Sequence, residues 1–410
     1  MLLTRRSVAL GAVTGVAAAA IGRDLLTAQA LGASGCSPDD PQVVLDWERS
    51  TFRTVYVDTP TPVPVGVPVL GFVSLAMHRA ATRSAHVGAS SEAAAAATAA
   101  HDVLVHYYPG QASLLAADLA NSLNGIGPAK RAKGARIGGR IAAELIASRA
   151  GDHYLDPAYH YSKTPGPGVW QPNPGATDML APWLGSLRPL ILSSPVPASG
   201  PYALTSSAYA ADYDEVRRLG SLSSADRSPE QTATAVFYNS NSATTVSDAL
   251  VRHLEGSPLD LLATARLFAM IHGAMTDAAI RCWGLKRDVG FWRPSQAVAG
   301  AGTDGNDATS TEANWSPLIP NPNYSDYISG HASLTGPAVE VIRRVLGEHT
   351  PLEIRSVNSP TPRTYSGLGE LEFEAFHARI WSGLHFRKAM VDAYEMAHRT
   401  AERVMRAFGD

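Results

Sequence analysis

Residues 257–286 read SPLDLLATARLFAMIHGAMTDAAIRCWGLK. Apolar residues recur there three and four positions apart, the period of a helix with a buried face. Ser257 and Pro258 supply a start signal, because a short hydroxyl side chain caps free N–H groups and proline is tolerated in a first turn. Met275, Ala279, Cys282, Trp283 and Lys286 follow i, i+4, i+7, i+8 and i+11, so a lysine finishes a mostly apolar stripe. Its ammonium is expected to point inward.

The same period recurs on both sides of this helix. Ahead of it lie LGFVSLAMHRAATRSA (70–85), the alanine-dense SSEAAAAATAAHDVLVHYY (90–108), GQASLLAADLANSL (110–123) and GPAKRAKGARIGGRIAAELIASRAG (127–151). Alanine faces suit close helix packing. Nearer the long helix, YAADYDEVRRLG, SPEQTATAVFYNS and SATTVSDALVRHLEG are helical, and after it SGHASLTGPAVEVIRRVLG, GELEFEAFHARIWSGLH and AERVMRAF continue the pattern. TPTPVPVGVPV (59–69) reads as extended, and 152–209 and 300–328 read as irregular connections rich in Pro, Gly, Ser and Asn. Strand signals are sparse. The expected class is all-α, two packed helical bundles in one compact unit, with a leader at 1–30, an N-terminal helical region at 31–210 and a C-terminal one at 211–410.

With 410 residues, 45% hydrophobic content and a formal net charge of −3, the chain can bury a large core. It lacks the basic stripe of a nucleic-acid binder. Beyond the leader no segment has the 18 unbroken apolar residues of a membrane span. The leader joins Arg5 and Arg6 to an apolar stretch and the small-x-small site AQA (28–30), a twin-arginine export pattern that predicts a secreted or cell-envelope protein starting near Leu31. ASGC, ending at Cys36, offers a second processing option with a lipid anchor, and an ordinary N-terminal helix is the plain alternative. In an oxidising destination Cys36 and Cys282 can pair, or Cys282 can be a buried free thiol. No CxxC or Cys/His cluster suggests zinc.

Three short stretches carry the chemistry. CWGLKRDVGFWRP (282–294) sets Lys286 and Arg293 among aromatics, where both cations either snorkel to water or meet an anion. Ser329-Gly330-His331 opens a helix: free N–H groups bind anions, glycine admits close approach, and His331 can act as acid or base, whereas the plain reading is an N-cap followed by an exposed histidine. Arg379 and His385 flank Gly383, a candidate kink. They are either a helical surface pair, or an oxyanion fork with an imidazole able to ligate a metal or attack phosphorus.

Lys-x6-Arg-Pro, Ser-Gly-His and Arg-x5-His in this order resemble the vanadium-dependent haloperoxidases, which share a site with type-2 phosphatidic acid phosphatases and bacterial acid phosphatases. The resemblance implies the helical fold of the vanadium chloroperoxidases and one vanadate per chain. Lys286, Arg293 and Arg379, with Ser329 and the Gly330 amide, would hold its oxygens; His385 would bind vanadium, and His331 would be the acid-base residue. It further implies hydrogen peroxide activated by Lys286, a halide oxidised to hypohalous acid and an organic acceptor, with Trp283 and Tyr324 at the halide pocket. Three departures stand out. Ile328 replaces a common proline, Ala378 a common serine, and Ala389 the aspartate that phosphatases place four residues after the nucleophilic histidine. On a straight helix Asp392 lies roughly 10 Å along the axis from His385, out of contact. A secreted acid phosphatase and an inactive oxyanion-binding relative are the alternatives.

Overall fold

The computed structural model describes residues 40–409, so the twin-arginine segment, the AQA site and Cys36 lie outside the described residues. Within them are thirteen α-helices and one β-hairpin. The first five helices are α1 (Gln42–Arg53), α2 (Val63–Val87), α3 (Glu92–Tyr107), α4 (Ala112–Leu123) and α5 (Pro128–Ser148). After a long connection come α6 (Ser207–Gly220), α7 (Pro229–Phe237), α8 (Thr245–His253), α9 (Leu261–Asp288), α10 (Pro294–Gly300) and α11 (Gly330–Leu346). The antiparallel strands β1 (Leu352–Ser356) and β2 (Ser359–Tyr365) then lead into α12 (Leu368–Trp381) and α13 (Arg387–Ala407).

Helix α9 is the spine. It packs against α2 of the first bundle and against α11 and α13 of the second, which is why its stripe is apolar on nearly every side. Close packing in the first bundle comes from the composition seen in the sequence. A Cβ on Gly134 of α5 would sit 2.5 Å from the Ser91 carbonyl, and α3 presents alanines in reply. Helix α2 is long and apolar enough to cross a membrane, yet most of it is buried against α3 and α9.

Four local readings need correction. Helix α9 starts after Asp260, not at Ser257: the Asp260 carboxylate accepts from Ala263 N at 2.8 Å and carries negative charge to the positive helix end. The stretch 59–69 is extended only to Pro62, because Pro64 sits in a first turn that needs no donor and the buried Val67, Val69 and Leu70 outweigh the one bond Pro68 cannot make. The hairpin is hidden by Pro360 and Pro362, which β2 tolerates with its side chains exposed. Gly383 does not kink a helix; at φ +74° it follows the end of α12, and His385 lies in the turn before α13.

One contact offers a stability test. The 3-10 turn at Pro182–Ser186 lies against α9, and a Cβ on Gly185 would collide with the Gly284 backbone and stand 2.8 Å from the Trp283 carbonyl carbon. Helix backbone cannot give way as a side-chain tip can. Gly185→Ala is expected to cost about 1–3 kcal/mol in urea unfolding, whereas Gly166→Ala, with open space around it, leaves the midpoint unchanged.

Candidate oxyanion site

Five segments converge at the C-terminal end of α9. Lys286 occupies its last turn, Arg293 precedes α10, Ser329, Gly330 and His331 open α11, Arg379 is in the last turn of α12, and His385 sits in the α12–α13 turn. Backbone pairing explains the convergence. Trp170 N donates to Gly290 O at 2.8 Å and Trp292 N to Gly168 O at 3.0 Å, so the irregular connection grips the GFW stretch; Ser329 N reaches Ala389 O at 3.1 Å.

Lys286, Arg293 and Arg379 are 0%, 1% and 2% exposed, so none of them snorkels. Lys286 Nζ donates to the carbonyls of Ser325 (2.8 Å) and Asp326 (3.0 Å). Arg293 Nε donates to Tyr324 O at 2.8 Å and its Nη1 to Leu384 O at 2.7 Å; Arg379 Nη1 donates to Tyr238 O at 3.3 Å. Among the described residues these cations meet carbonyls, not carboxylates, and Arg293 Nη2 and Arg379 Nε have no hydrogen-bond partner. Buried cations with orphan N–H groups want an anion. Two guanidinium groups with an orphan N–H each, an ammonium and the N-terminus of α11 supply the charge and the donor types that a tetrahedral oxyanion takes. Gly330 belongs to this fit, because a Cβ there would press on the Trp283 ring at 3.2 Å and stand 3.9 Å from Lys286 Cε. Ser329 Oγ caps α11, accepting from Ala332 N at 3.4 Å.

Tyr324 and Trp283 form the wall. Their rings lie 5.3 Å apart, with Lys286 Nζ 4.9 Å and Arg293 Cζ 5.0 Å from the Tyr324 ring, so the aromatics keep water from the cations. Trp283 Nε1 donates to Leu180 O at 3.1 Å, leaving its ring as the face it offers.

The residue that motif reading passed over is Asp326. Its Oδ1 accepts from His385 Nδ1 at 2.7 Å, while Arg293 Nη1 lies 3.3 Å from His385 Nε2. With Nδ1 donating, Nε2 keeps its lone pair; burial, with Arg293, Lys286 and Arg379 adding to it, holds the imidazole well below its usual pKa. That is the state a metal ligand or nucleophile needs. Burial also pushes the Asp326 carboxyl up to about 7. The signal was present as an aspartate three residues before Ser329, but no helical period links it to His385. Asp392 does not substitute for it: it accepts from Tyr327 Oη at 2.6 Å and pairs with Lys388 at 2.8 Å. The straight-helix distance from His385 does not apply, since His385 precedes α13.

His331 Nε2 donates to Ser240 O at 3.3 Å, and burial together with Arg379 holds its pKa well below normal. It is not an exposed capping-turn histidine. Among the described residues Cys282 is a buried free thiol, 3.4 Å from Ile328 O.

Lys286 gives the site a pH dependence. Burial, and next among the lowering causes Arg293, brings its ammonium down to about 7, so without an anion it is charged below that pH and neutral above. A bound anion favours the charged form, and binding above pH 7 therefore takes up a proton and weakens as pH rises. Sulfate, which does not titrate in this range, isolates the effect. Calorimetry at pH 8 in buffers of different ionisation heat is expected to report uptake approaching one proton, and Lys286→Met none.

Known proteins resemble this chain in sequence and in fold. Residues 266–409 match the family described as the VCPO second helical-bundle domain. Over these residues the chain is similar to the vanadium chloroperoxidase bundle that this family describes. Vanadium chloroperoxidase of Curvularia inaequalis is 30% identical over an alignment of 165 positions that covers 33% of this chain and only 27% of that relative's length. A bacterial vanadium-dependent iodoperoxidase superposes with a TM-score of 0.72 at 19% identity, covering 90% of this chain and 97% of the other. A bacterial vanadium-dependent chloroperoxidase, in its holo form, gives 0.68 at 16%, covering 87% and 95%. The vanadium haloperoxidase fold therefore extends over nearly the whole chain, and the all-α expectation holds.

Proposed function

We propose that this chain is a vanadium-dependent haloperoxidase that uses hydrogen peroxide to oxidise bromide or chloride, giving hypohalous acid or a halogenated organic product. The observation that carries it is the meeting of three buried cations, none ion-paired with a carboxylate among the described residues, with a neutral imidazole whose Nε2 lone pair meets only a 3.3 Å contact from Arg293 Nη1. Lys286, Arg293, Arg379, Ser329 and the Gly330 amide would hold the oxygens of one vanadate, and His385 Nε2 its vanadium. When bound, vanadate supplies Lewis-acid chemistry toward peroxide without changing its own oxidation state.

The chain's own residues do the rest. The fixed N–H groups of Lys286 and the arginines face developing negative charge in a site closed to water, where they need no reorganisation. Asp326 holds the His385 tautomer through Nδ1. His331, with Nε2–H committed to Ser240 O, has Nδ1 as its basic atom and moves the proton that the reaction requires: peroxide, halide and one proton give hypohalous acid and water. The halide is placed beside the Trp283 and Tyr324 rings. We also infer export by the twin-arginine route with loss of residues 1–30, a reading supported by the leader sequence.

The test is bromination of phenol red by the purified protein with peroxide and bromide. The reading expects turnover that requires added vanadate. Turnover of p-nitrophenyl phosphate, inhibited by vanadate and unaccompanied by bromination, would replace it with the second reading, a secreted acid phosphatase. One observation favours that alternative: Asp326 supplies the carboxylate that Ala389 lacks, held on the nucleophile's ring at 2.7 Å.

A further inference from the structure

Behind His331 lies a cavity with room for about one water molecule, walled by Tyr238, Ser240, Thr245, Thr335 and Tyr394. Tyr238 joins it to the surface. Its carbonyl receives Arg379 Nη1 at 3.3 Å, and its hydroxyl donates to the Tyr365 hydroxyl at 2.8 Å. Tyr365 in turn donates to Glu374 Oε2. Tyr365 and Glu374 line an open surface groove with Thr364, Glu370 and Phe373, and the Glu374 side chain is 31% exposed. A continuous file of hydroxyls thus runs from the wall of the inner cavity to a carboxylate in contact with solvent.

We infer that Tyr238, Tyr365 and Glu374 form a proton relay between solvent and the His331 cavity. The inference rests on the haloperoxidase reading, in which each hypohalous acid formed consumes one proton that a buried site must import. The Tyr365 hydroxyl accepts from Tyr238 and donates to Glu374, and Tyr238 Oη, which donates to Tyr365, keeps a lone pair for the cavity water, so a proton can hop without an ionised phenol. While Glu374 is ionised it can only accept, and the observed polarity runs outward from Tyr238. Once solvent protonates Glu374, the polarity reverses: Glu374 gives its proton to Tyr365 Oη, Tyr365 gives its own to Tyr238 Oη, and Tyr238 gives its own to the cavity water and on to His331. The two hydroxyls end with the protons they were passed, and Glu374 is ionised again. Arg363, which donates to the same Glu374 oxygen and to Thr234 Oγ1, anchors the outer end.

The relay is tested in vanadate-loaded full-length protein with Tyr365→Phe, which removes one hydroxyl, and Glu374→Gln, which removes the proton acceptor at a partly exposed position. Wild-type bromination must first be established, so that failure of the haloperoxidase reading is seen separately. Both variants are expected to bind vanadate as wild type does, to lose roughly ten- to a hundredfold in kcat with little change in KM for bromide, and to show a larger solvent deuterium isotope effect. Formate or imidazole in the buffer should restore part of the loss, and Glu374→Asp should retain most activity. An unchanged kcat in both variants, or a loss that neither small acids nor aspartate restores, would overturn the relay and leave the pair a structural hydrogen bond.

Discussion

His385→Ala is expected to abolish vanadate-dependent bromination, lowering the rate by roughly three orders of magnitude or more, because the group meant to bind the metal is also the hub of the buried network. Removing the imidazole takes the acceptor from Arg293 Nη1 and the donor from Asp326 Oδ1 at once. The freed carboxylate is then left beside two buried cations, Arg293 and Lys286, whose charges it already feels. An internal ion pair would compete with any incoming oxyanion. The variant should therefore lose oxyanion affinity as well as turnover, and exogenous imidazole, which fits the space vacated, should recover part of both. Steady-state bromination and vanadate titration check this together. Turnover close to wild type would remove His385 from the chemistry.

The second large effect is expected at Arg293. Truncating one partner of a buried, charge-assisted contact costs about 2–5 kcal/mol, which is roughly a 30- to 5,000-fold rise in the Kd for a tetrahedral oxyanion. Arg293→Lys should do little better. The guanidinium spends Nε on Tyr324 O and Nη1 on Leu384 O and still presents Nη2 to the site, a division that one ammonium cannot reproduce. Arg217, held by Asp214 and Glu312 at the surface, provides the control, and Arg217→Ala should leave the Kd unchanged. Calorimetry with vanadate or sulfate reports both values.

What the sequence displayed and what it concealed divide along physical lines. Helices with a 3.6-residue period were legible, as were Lys286, Arg293, Ser329, Gly330, His331, Arg379 and His385, because their motifs are local. Snorkelling was the fair expectation for Lys286 and Arg293 taken alone, since a long stem at a helix end usually finds water; burial against Tyr324 and Trp283 is a tertiary fact. Asp326 was missed for the same reason. It reaches His385 across 59 residues of chain, through a turn whose geometry no period encodes. The hairpin 352–365 was obscured by prolines, and the start of α9 by a Ser-Pro pair that the Asp260 carboxylate outcompetes as a cap. The file from Tyr238 to Glu374 likewise crosses 127 residues of chain between Tyr238 and Tyr365.

The buried cations around His385 should form one oxyanion site per chain. Equilibrium dialysis of the purified protein against vanadate tests this most directly. Saturable binding of one vanadate per chain is expected, displaced by phosphate and lost in Arg293→Ala. Absence of saturable binding in the folded protein, or binding that Arg293→Ala leaves untouched, would contradict it.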